Sequence, residues 1–84
     1  MSFDNNVSVD IKETYMSIPS DNPGWNLEIN LVSWNGREPK YDIRKWNEDH
    51  SRSGKGLTLS EDEIVIMFQN YKDVLEKITG EEIK

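Results

Sequence analysis

Apolar and polar residues alternate along most of the first 60 residues, and this two-residue period predicts β-strands. The alternation is regular over 25–34, where the odd-numbered side from Trp25 is mostly apolar and the even-numbered side is mostly polar. Further strands are predicted over 40–46 and 54–59, with a polar loop over 48–53 between them. Such alternation is typical of an antiparallel sheet that buries one face and leaves the other in water.

The start of the chain predicts a fourth, less regular strand. Residues from Phe3 to Ile18 alternate weakly and change parity, so we expect a bulge or kink near 13–15. The segment over 19–24 contains two prolines and a glycine and predicts a turn. Asn35-Gly36 predicts a hairpin-type turn between the next two strands, because this pair tolerates positive φ angles.

The last third of the chain predicts one helix over about 61–79, followed by a frayed tail over 80–84. Ser60 and Glu63 have the spacing of a capping box, and Gly80 suits the position after the last helical residue. Apolar residues then recur at helical spacing: Ile64, Met67, Phe68, Tyr71, Val74, Leu75 and Ile78. The sequence therefore predicts a single α+β domain over 1–84, with a four-stranded antiparallel sheet followed by one C-terminal helix.

The size and composition of the chain narrow the class of protein. The sequence of 84 residues has no cysteine, which excludes a disulfide framework and a thiolate metal site and fits a reducing cytoplasm. No apolar run approaches the ~20 residues that cross a bilayer, and the first residues lack the features of a signal peptide. We expect a cytoplasmic protein without a membrane partner. One helix covers only part of a four-stranded sheet, so a two-fold homodimer would bury the remaining apolar surface.

Charge is distributed unevenly along the chain. The net charge is −6, with −4 over residues 1–33, +2 over 34–56 and −4 over 57–84. Exposed charges are screened beyond ~8 Å at physiological salt, so a local basic stripe on an acidic body can still hold phosphates. Binding of this kind is steeply salt-dependent.

The basic central segment also carries two tryptophans. Trp34 and Trp46 fall, by parity, on the face of the sheet that the alternation predicts to be solvated. Indole rings on that face offer flat surfaces for unstacked bases. The basic residues that accompany them are Arg37, Lys40, Arg44, Arg52 and Lys55. The alternative interpretation is that the tryptophans fill a dimer interface and the basic side chains are merely solvated.

No pattern in the chain predicts an enzyme. Gly54-Lys55-Gly56 lacks the first glycine of a phosphate-binding P-loop, because Asp49 stands there, and it lacks the Ser or Thr that follows the lysine. His50 is the only histidine, which makes a poor transition-metal site, and its polar loop predicts a solvated side chain. We therefore expect no catalytic residue, no metal, no cofactor and no small-molecule substrate.

Two short runs, in this order, carry a family resemblance. Asp42-Ile43-Arg44-Lys45-Trp46 precedes a polar loop, and the run from Gly54 to Ser60 leads into the capped helix. This arrangement over roughly 25–79 resembles the single-stranded-DNA-binding domain of positive cofactor four, a transcriptional coactivator. The similarity is greatest to the bacterial YdbC-type branch.

The resemblance implies a symmetric homodimer in which single strands lie along basic, aromatic sheet surfaces and loops. It places binding roles on Trp34, Arg37, Arg44, Trp46 and Lys55, with Arg52 near a further loop lysine. Asn35 and Gly54 stand where the family often has basic residues, which implies weaker electrostatic binding. The Ser-rich regulatory tail of the eukaryotic member is absent, so the resemblance does not imply that this chain acts as a transcriptional coactivator.

The resulting hypothesis is a sequence-tolerant single-stranded-DNA-binding homodimer associated with the nucleoid, with a role in transcription, replication or repair. Tryptophans stack on bases, and arginines and lysines hold phosphates. Two alternatives remain open. The same aromatic face would suit RNA, because nothing in the sequence reads or excludes a 2′-hydroxyl. It would also suit a protein-interaction module whose acidic surface favours a basic partner.

Overall fold

The chain folds as an antiparallel meander followed by two helices, in a computed structural model that describes residues 8–82. The elements are β1 (Val9–Pro19), β2 (Trp25–Trp34), β3 (Lys40–Asn47), β4 (Ser53–Leu59), α1 (Glu61–Gln69) and α2 (Tyr71–Thr79). Each strand pairs with the next in the order β1-β2-β3-β4. The predicted α+β class and four-stranded antiparallel sheet are confirmed. The part of the first predicted strand from Phe3 to Val7 lies outside the described residues.

Two irregularities interrupt β1. The pairing of β1 with β2 shifts register between Ile11 and Glu13 and again between Thr14 and Met16. Each shift inserts an extra residue and bends the strand, and the second shift restores the alternation that the first one reverses. The bulge predicted near 13–15 is confirmed, but it does not explain the change of parity, because Ile11 and Met16 lie on opposite faces with or without the two shifts.

The Asn35-Gly36 turn has the predicted backbone conformation. Asn35 and Gly36 have φ angles of 55° and 72°, and the Arg37 amide donates to the Trp34 carbonyl at 3.0 Å. The Asn35 side chain also accepts a hydrogen bond from the Ser8 amide at 2.7 Å, while the Asn35 amide donates to the Ser8 carbonyl at 2.7 Å. This turn therefore also anchors the start of β1.

The prediction of a single helix over 61–79 is wrong, because the helix is interrupted at Asn70. The backbone of Asn70 has φ −93° and ψ 12°, outside the α region. Its side chain donates to the Ile66 carbonyl at 2.8 Å and so ends α1. Asparagine competes with helical hydrogen bonds in this way, whereas the apolar spacing continues across the break and conceals it. The predicted capping box at Ser60 and Glu63 is present.

The core lies between α1 and one face of the sheet, which we call the helix face. Ile29, Leu59 and Ile64 are buried there. Three partly buried side chains pack against them: Met16, Tyr41 and Ile43. The Tyr41 hydroxyl donates to Glu61 at 3.3 Å, which joins β3 to the first turn of α1. Ile64 is the buried residue of α1, and no residue of α2 is buried.

The opposite face of the sheet, which we call the distal face, carries Glu28, Asn30, Asp42, Arg44 and Trp46. The alternation predicted that this face is solvated, and that prediction is wrong. Asn30, Asp42 and Trp46 are fully buried, and Glu28 is 3% exposed. Side chains of the sheet and of the β3–β4 loop cover this face and bond to its polar groups. The alternation of apolar and polar residues along a strand cannot reveal contacts of this kind.

The apolar side of the helices is largely uncovered in the single chain. Ile66, Phe68, Tyr71, Val74 and Ile78 have exposed fractions of 58, 48, 47, 49 and 74%. Isolated exposed apolar residues are normal, whereas these two consecutive helices together leave several large apolar side chains in contact with water. No helix within residues 8–82 has the length and apolarity needed to cross a membrane.

We predict that Ser60→Ala lowers the free energy of unfolding by about 1 kcal/mol, because it removes the side-chain cap of α1. The Ser60 hydroxyl accepts from the Glu63 amide at 3.2 Å, and Glu63 accepts from the Ser60 amide at 2.8 Å. Urea denaturation at a fixed protein concentration measures the change. Ser60→Asp retains a capping oxygen and is the control. Equal losses in both variants would contradict a capping role.

Candidate nucleic-acid interface

The distal face contains a buried ion pair within β3. Arg44 donates from Nε to one carboxylate oxygen of Asp42 at 2.6 Å and from Nη2 to the other at 2.7 Å. The Asp42 side chain is fully buried and that of Arg44 is 12% exposed. The Thr58 hydroxyl of the neighbouring strand also donates to Asp42, at 3.3 Å. Two parallel charge-assisted bonds fix the guanidinium group in both position and orientation.

The fixed guanidinium group lies against Trp34. Its central carbon is 4.6 Å from the centroid of the Trp34 ring, within the range of a cation–π contact. Trp34 is the last residue of β2 and is partly exposed. The sequence hypothesis required two outward-facing indole rings, Trp34 and Trp46, beside a cationic track. The structure places one partly exposed ring, Trp34, against Arg44.

Gly56 provides the space that Arg44 occupies. It pairs with Arg44 across β3 and β4, and a Cβ atom added to Gly56 would lie 2.5 Å from both Cβ and Nε of Arg44. Such a separation is below any normal contact, so the arginine side chain lies directly over the glycine backbone. A glycine inside a strand often marks a close approach of this kind.

Trp46 differs from Trp34, because it is fully buried. The expectation that its ring faces solvent is wrong. The His50 ring, from the β3–β4 loop, lies 5.5 Å from the Trp46 ring between centroids. Trp46 therefore supports the distal face from within and is not a surface onto which a base can stack in this conformation.

His50 is exposed, as predicted, with 39% of its side chain accessible, and it also bonds to Glu28. Its Nε2 lies 2.9 and 3.1 Å from the two carboxylate oxygens of Glu28. Asn30 and Ser17 each donate to the same carboxylate at 3.0 Å. His50 has a φ angle of 60°, which is unusual for a residue other than glycine. This contact fastens the β3–β4 loop to the sheet.

Burial raises the pKa of Glu28, but hydrogen bonds from Asn30, His50 and Ser17 lower it further than burial raises it. The pKa of Glu28 is therefore below its ordinary value of 4.5. The carboxylate remains charged inside the sheet because donors surround it on three sides.

The remaining predicted basic residues are exposed: Arg37, Lys40, Arg52 and Lys55. The Asn35-Gly36 turn comes directly after Trp34, and Arg37 is the first residue after that turn. Lys55 lies in β4, directly before Gly56. Lys40 begins β3, and Arg52 precedes β4. These four exposed cations contrast with Arg44, whose charge is bound to Asp42.

Four residues of this region were not predicted: Glu28, Asp42, His50 and Gly56. The contact of Asp42 could have been predicted, because two residues that are two positions apart in a strand, such as Asp42 and Arg44, lie on the same face. The role of Gly56 could also have been predicted, because a glycine inside a predicted strand often marks a close approach of another group. The contact between Glu28 and His50 spans 22 residues of sequence and depends on the path of a loop. No local pattern predicts it.

Two comparisons identify related sequences. Residues 22–70 match the family described as Transcriptional Coactivator p15 (PC4). An uncharacterised protein of Treponema pallidum (strain Nichols) is 43% identical over 58 residues, which cover 69% of this chain and 68% of that protein. The family match includes β2, β3, β4 and α1, the elements that form the distal face and the helix-face core.

We predict that Glu28→Gln lowers the free energy of unfolding by about 1–3 kcal/mol at pH 7, because it disrupts a buried, hydrogen-bonded carboxylate. A group with a lowered pKa contributes stability above its ordinary value of 4.5, which is lost as pH falls through the folded pKa. The difference between variant and wild type should therefore shrink under acid. Denaturation at a series of pH values measures it.

Glu38→Gln is the matched control, because Glu38 is an exposed loop residue. Glu38→Gln should change the free energy of unfolding by less than about 0.5 kcal/mol, both at pH 7 and at acid pH. A Glu28→Gln penalty that stays constant down to acid pH would contradict the role of the charged carboxylate.

Proposed function

The chain belongs to the Transcriptional Coactivator p15 (PC4) family, and from this premise we propose that it is a non-enzymatic, sequence-tolerant single-stranded-DNA-binding protein. The observation that carries the proposal is the partly exposed Trp34 ring held beside Arg44 at 4.6 Å on a chain whose net charge is −6. Arg44 holds the ring in place, and the exposed Arg37, Lys40, Arg52 and Lys55 supply free positive charge in the same basic segment. A partly exposed ring in such a segment suits a polyanion with exposed bases.

The proposed interface comprises Trp34, Arg37, Lys40, Arg44, Trp46, Arg52 and Lys55. Trp34 stacks on a base, and the exposed Arg37, Lys40, Arg52 and Lys55 engage phosphates. Trp46 acts from beneath the β3–β4 loop by supporting the surface. This division follows the burial of each side chain. Single strands are preferred to duplex DNA because stacking requires exposed base faces. Such a role places the protein at the nucleoid, in the cytoplasm.

Binding should be observed directly by titrating the protein with an oligothymidine of about 16 nucleotides, the upper end of a usual site size. Stacking on Trp34 should quench intrinsic tryptophan fluorescence, and increasing salt should reverse the quenching as counterions compete for phosphates. Oligouridine and duplex DNA provide the comparisons. Tight binding of the duplex with equal affinity would contradict the stacking mechanism, and a silent titration at low salt would favour a protein-interaction module.

We predict that Trp34→Ala weakens oligothymidine binding by about fivefold to a hundredfold, because stacking contributes ~1–3 kcal/mol per base. Trp34→Phe keeps an aromatic surface and should retain most of the affinity. The anisotropy of a labelled oligonucleotide measures both variants without using the altered tryptophan. Circular dichroism checks that the sheet and helices persist. If Trp34→Ala binds as tightly as wild type, Trp34 is not the stacking platform.

We further propose that two copies associate through the apolar side of α1 and α2. No residue of α2 is buried within one chain, and Ile78 is 74% exposed.

We predict that the wild type has about twice the chain mass of 9.8 kDa in sedimentation equilibrium, and that Ile78→Asp shifts it toward one chain. An aspartate in the middle of an apolar contact is costly to desolvate. Ile78→Leu keeps the apolar character and should remain a dimer. A wild type that stays monomeric at high concentration would contradict this assembly.

A further inference from the structure

The charge of Arg44 is already bound within the protein. Its Nε and Nη2 atoms donate to Asp42 at 2.6 and 2.7 Å, and Asp42 is fully buried. The two side chains together carry no net charge. A phosphate near such a pair is attracted by the guanidinium group and repelled by the carboxylate. The phosphate is therefore attracted less strongly to this pair than to an exposed lysine.

Gly56 constrains the same side chain from the neighbouring strand. A Cβ atom there would lie 2.5 Å from Cβ and Nε of Arg44 and 2.8 Å from the Ile43 carbonyl oxygen. Because the glycine has no side chain, Arg44 can lie flat across β4. Asp42 fixes one edge of the guanidinium group, and Trp34 lies against it, 4.6 Å from ring centroid to Cζ.

We propose that Asp42 and Gly56 are positioning residues for nucleic-acid binding. They hold Arg44 against the Trp34 ring, so that Arg44 fixes the orientation of the stacking platform and does not contact a phosphate. This inference rests on the proposed function and assigns Arg44 a role different from that of the exposed cations. It predicts that the contribution of Arg44 to affinity is independent of salt, whereas that of Lys55 depends on salt.

The central experiment compares two glycine substitutions that leave the charge of the protein unchanged. Gly56→Ala displaces Arg44, whereas an alanine Cβ at Gly54 would lie 3.9 Å from Lys45 Cβ, an ordinary contact. Oligothymidine affinity is measured by anisotropy over a series of salt concentrations. Gly56→Ala should weaken binding by about threefold to tenfold at every salt concentration, the range of a cation–π contact. Gly54→Ala should bind as wild type.

A neutral replacement of the ion pair gives the second test, and it covers the case in which Gly56→Ala does not fold. Asp42→Asn combined with Arg44→Gln removes both charges and leaves the net charge of the protein unchanged. Asparagine has the shape of aspartate, and the shorter glutamine keeps a planar polar end group. The slope of log affinity against log salt should stay at the wild-type value. Lys55→Ala, the comparator, should reduce the slope by about 0.7, the value for one phosphate contact on a single strand. A reduction of that size in the double variant would overturn the proposal.

A measurement without nucleic acid separates this inference from the proposed function. The indole Nε1–H resonance of Trp34 in a ¹H–¹⁵N spectrum should move in Gly56→Ala and stay in place in Gly54→Ala. An unmoved Trp34 resonance in folded Gly56→Ala would overturn the positioning role even if the protein binds DNA. Conversely, failure of the wild type to bind any single strand would reject the proposed function and leave the expected resonance shift unchanged.

Discussion

The ion pair between Asp42 and Arg44 determines the character of the distal face. A fully buried carboxylate must be neutralised locally, and the bidentate arginine does this at 2.6 and 2.7 Å. Removing one partner of such a pair leaves an uncompensated charge, which typically costs 3–5 kcal/mol. The pair therefore constrains its neighbours: a glycine must lie opposite the arginine, and an aromatic ring can lie against it. The arrangement of the proposed interface follows from satisfying this buried charge.

Glu28 is a second buried carboxylate on the distal face, and hydrogen bonds satisfy it without an arginine. Its carboxylate is 3% exposed and is satisfied by Asn30, Ser17 and His50, which come from two strands and a loop. One polar centre thus fixes the guanidinium group, and the other fixes the β3–β4 loop. Together with the fully buried Val32 and Trp46, these two polar centres form the buried part of the distal face. A sheet face can thus be buried in a sequence of low mean hydropathy, −0.79.

Much of the fold could be predicted from the sequence, because strands, turns and caps depend on local patterns. The β2 boundaries, a bulge in β1 near 13–15, the Asn35-Gly36 turn and the Ser60 cap all arise within a few residues and were predicted correctly. Family membership followed from the order of short motifs and is confirmed. The environment of Trp46 could not be predicted, since burial on the distal face depends on where a loop folds and not on strand parity.

The interruption at Asn70 separates two contiguous parts of the chain. The family match ends at residue 70, where α1 ends, and the segment after it forms a helix with no buried residue of its own. The residues described on the distal face all precede this point, whereas exposed apolar residues continue from α1 into α2. The proposed ligand surface therefore lies wholly before residue 70, and the proposed association surface extends across the break. A substitution in α2 would alter the second surface without replacing any residue of the first.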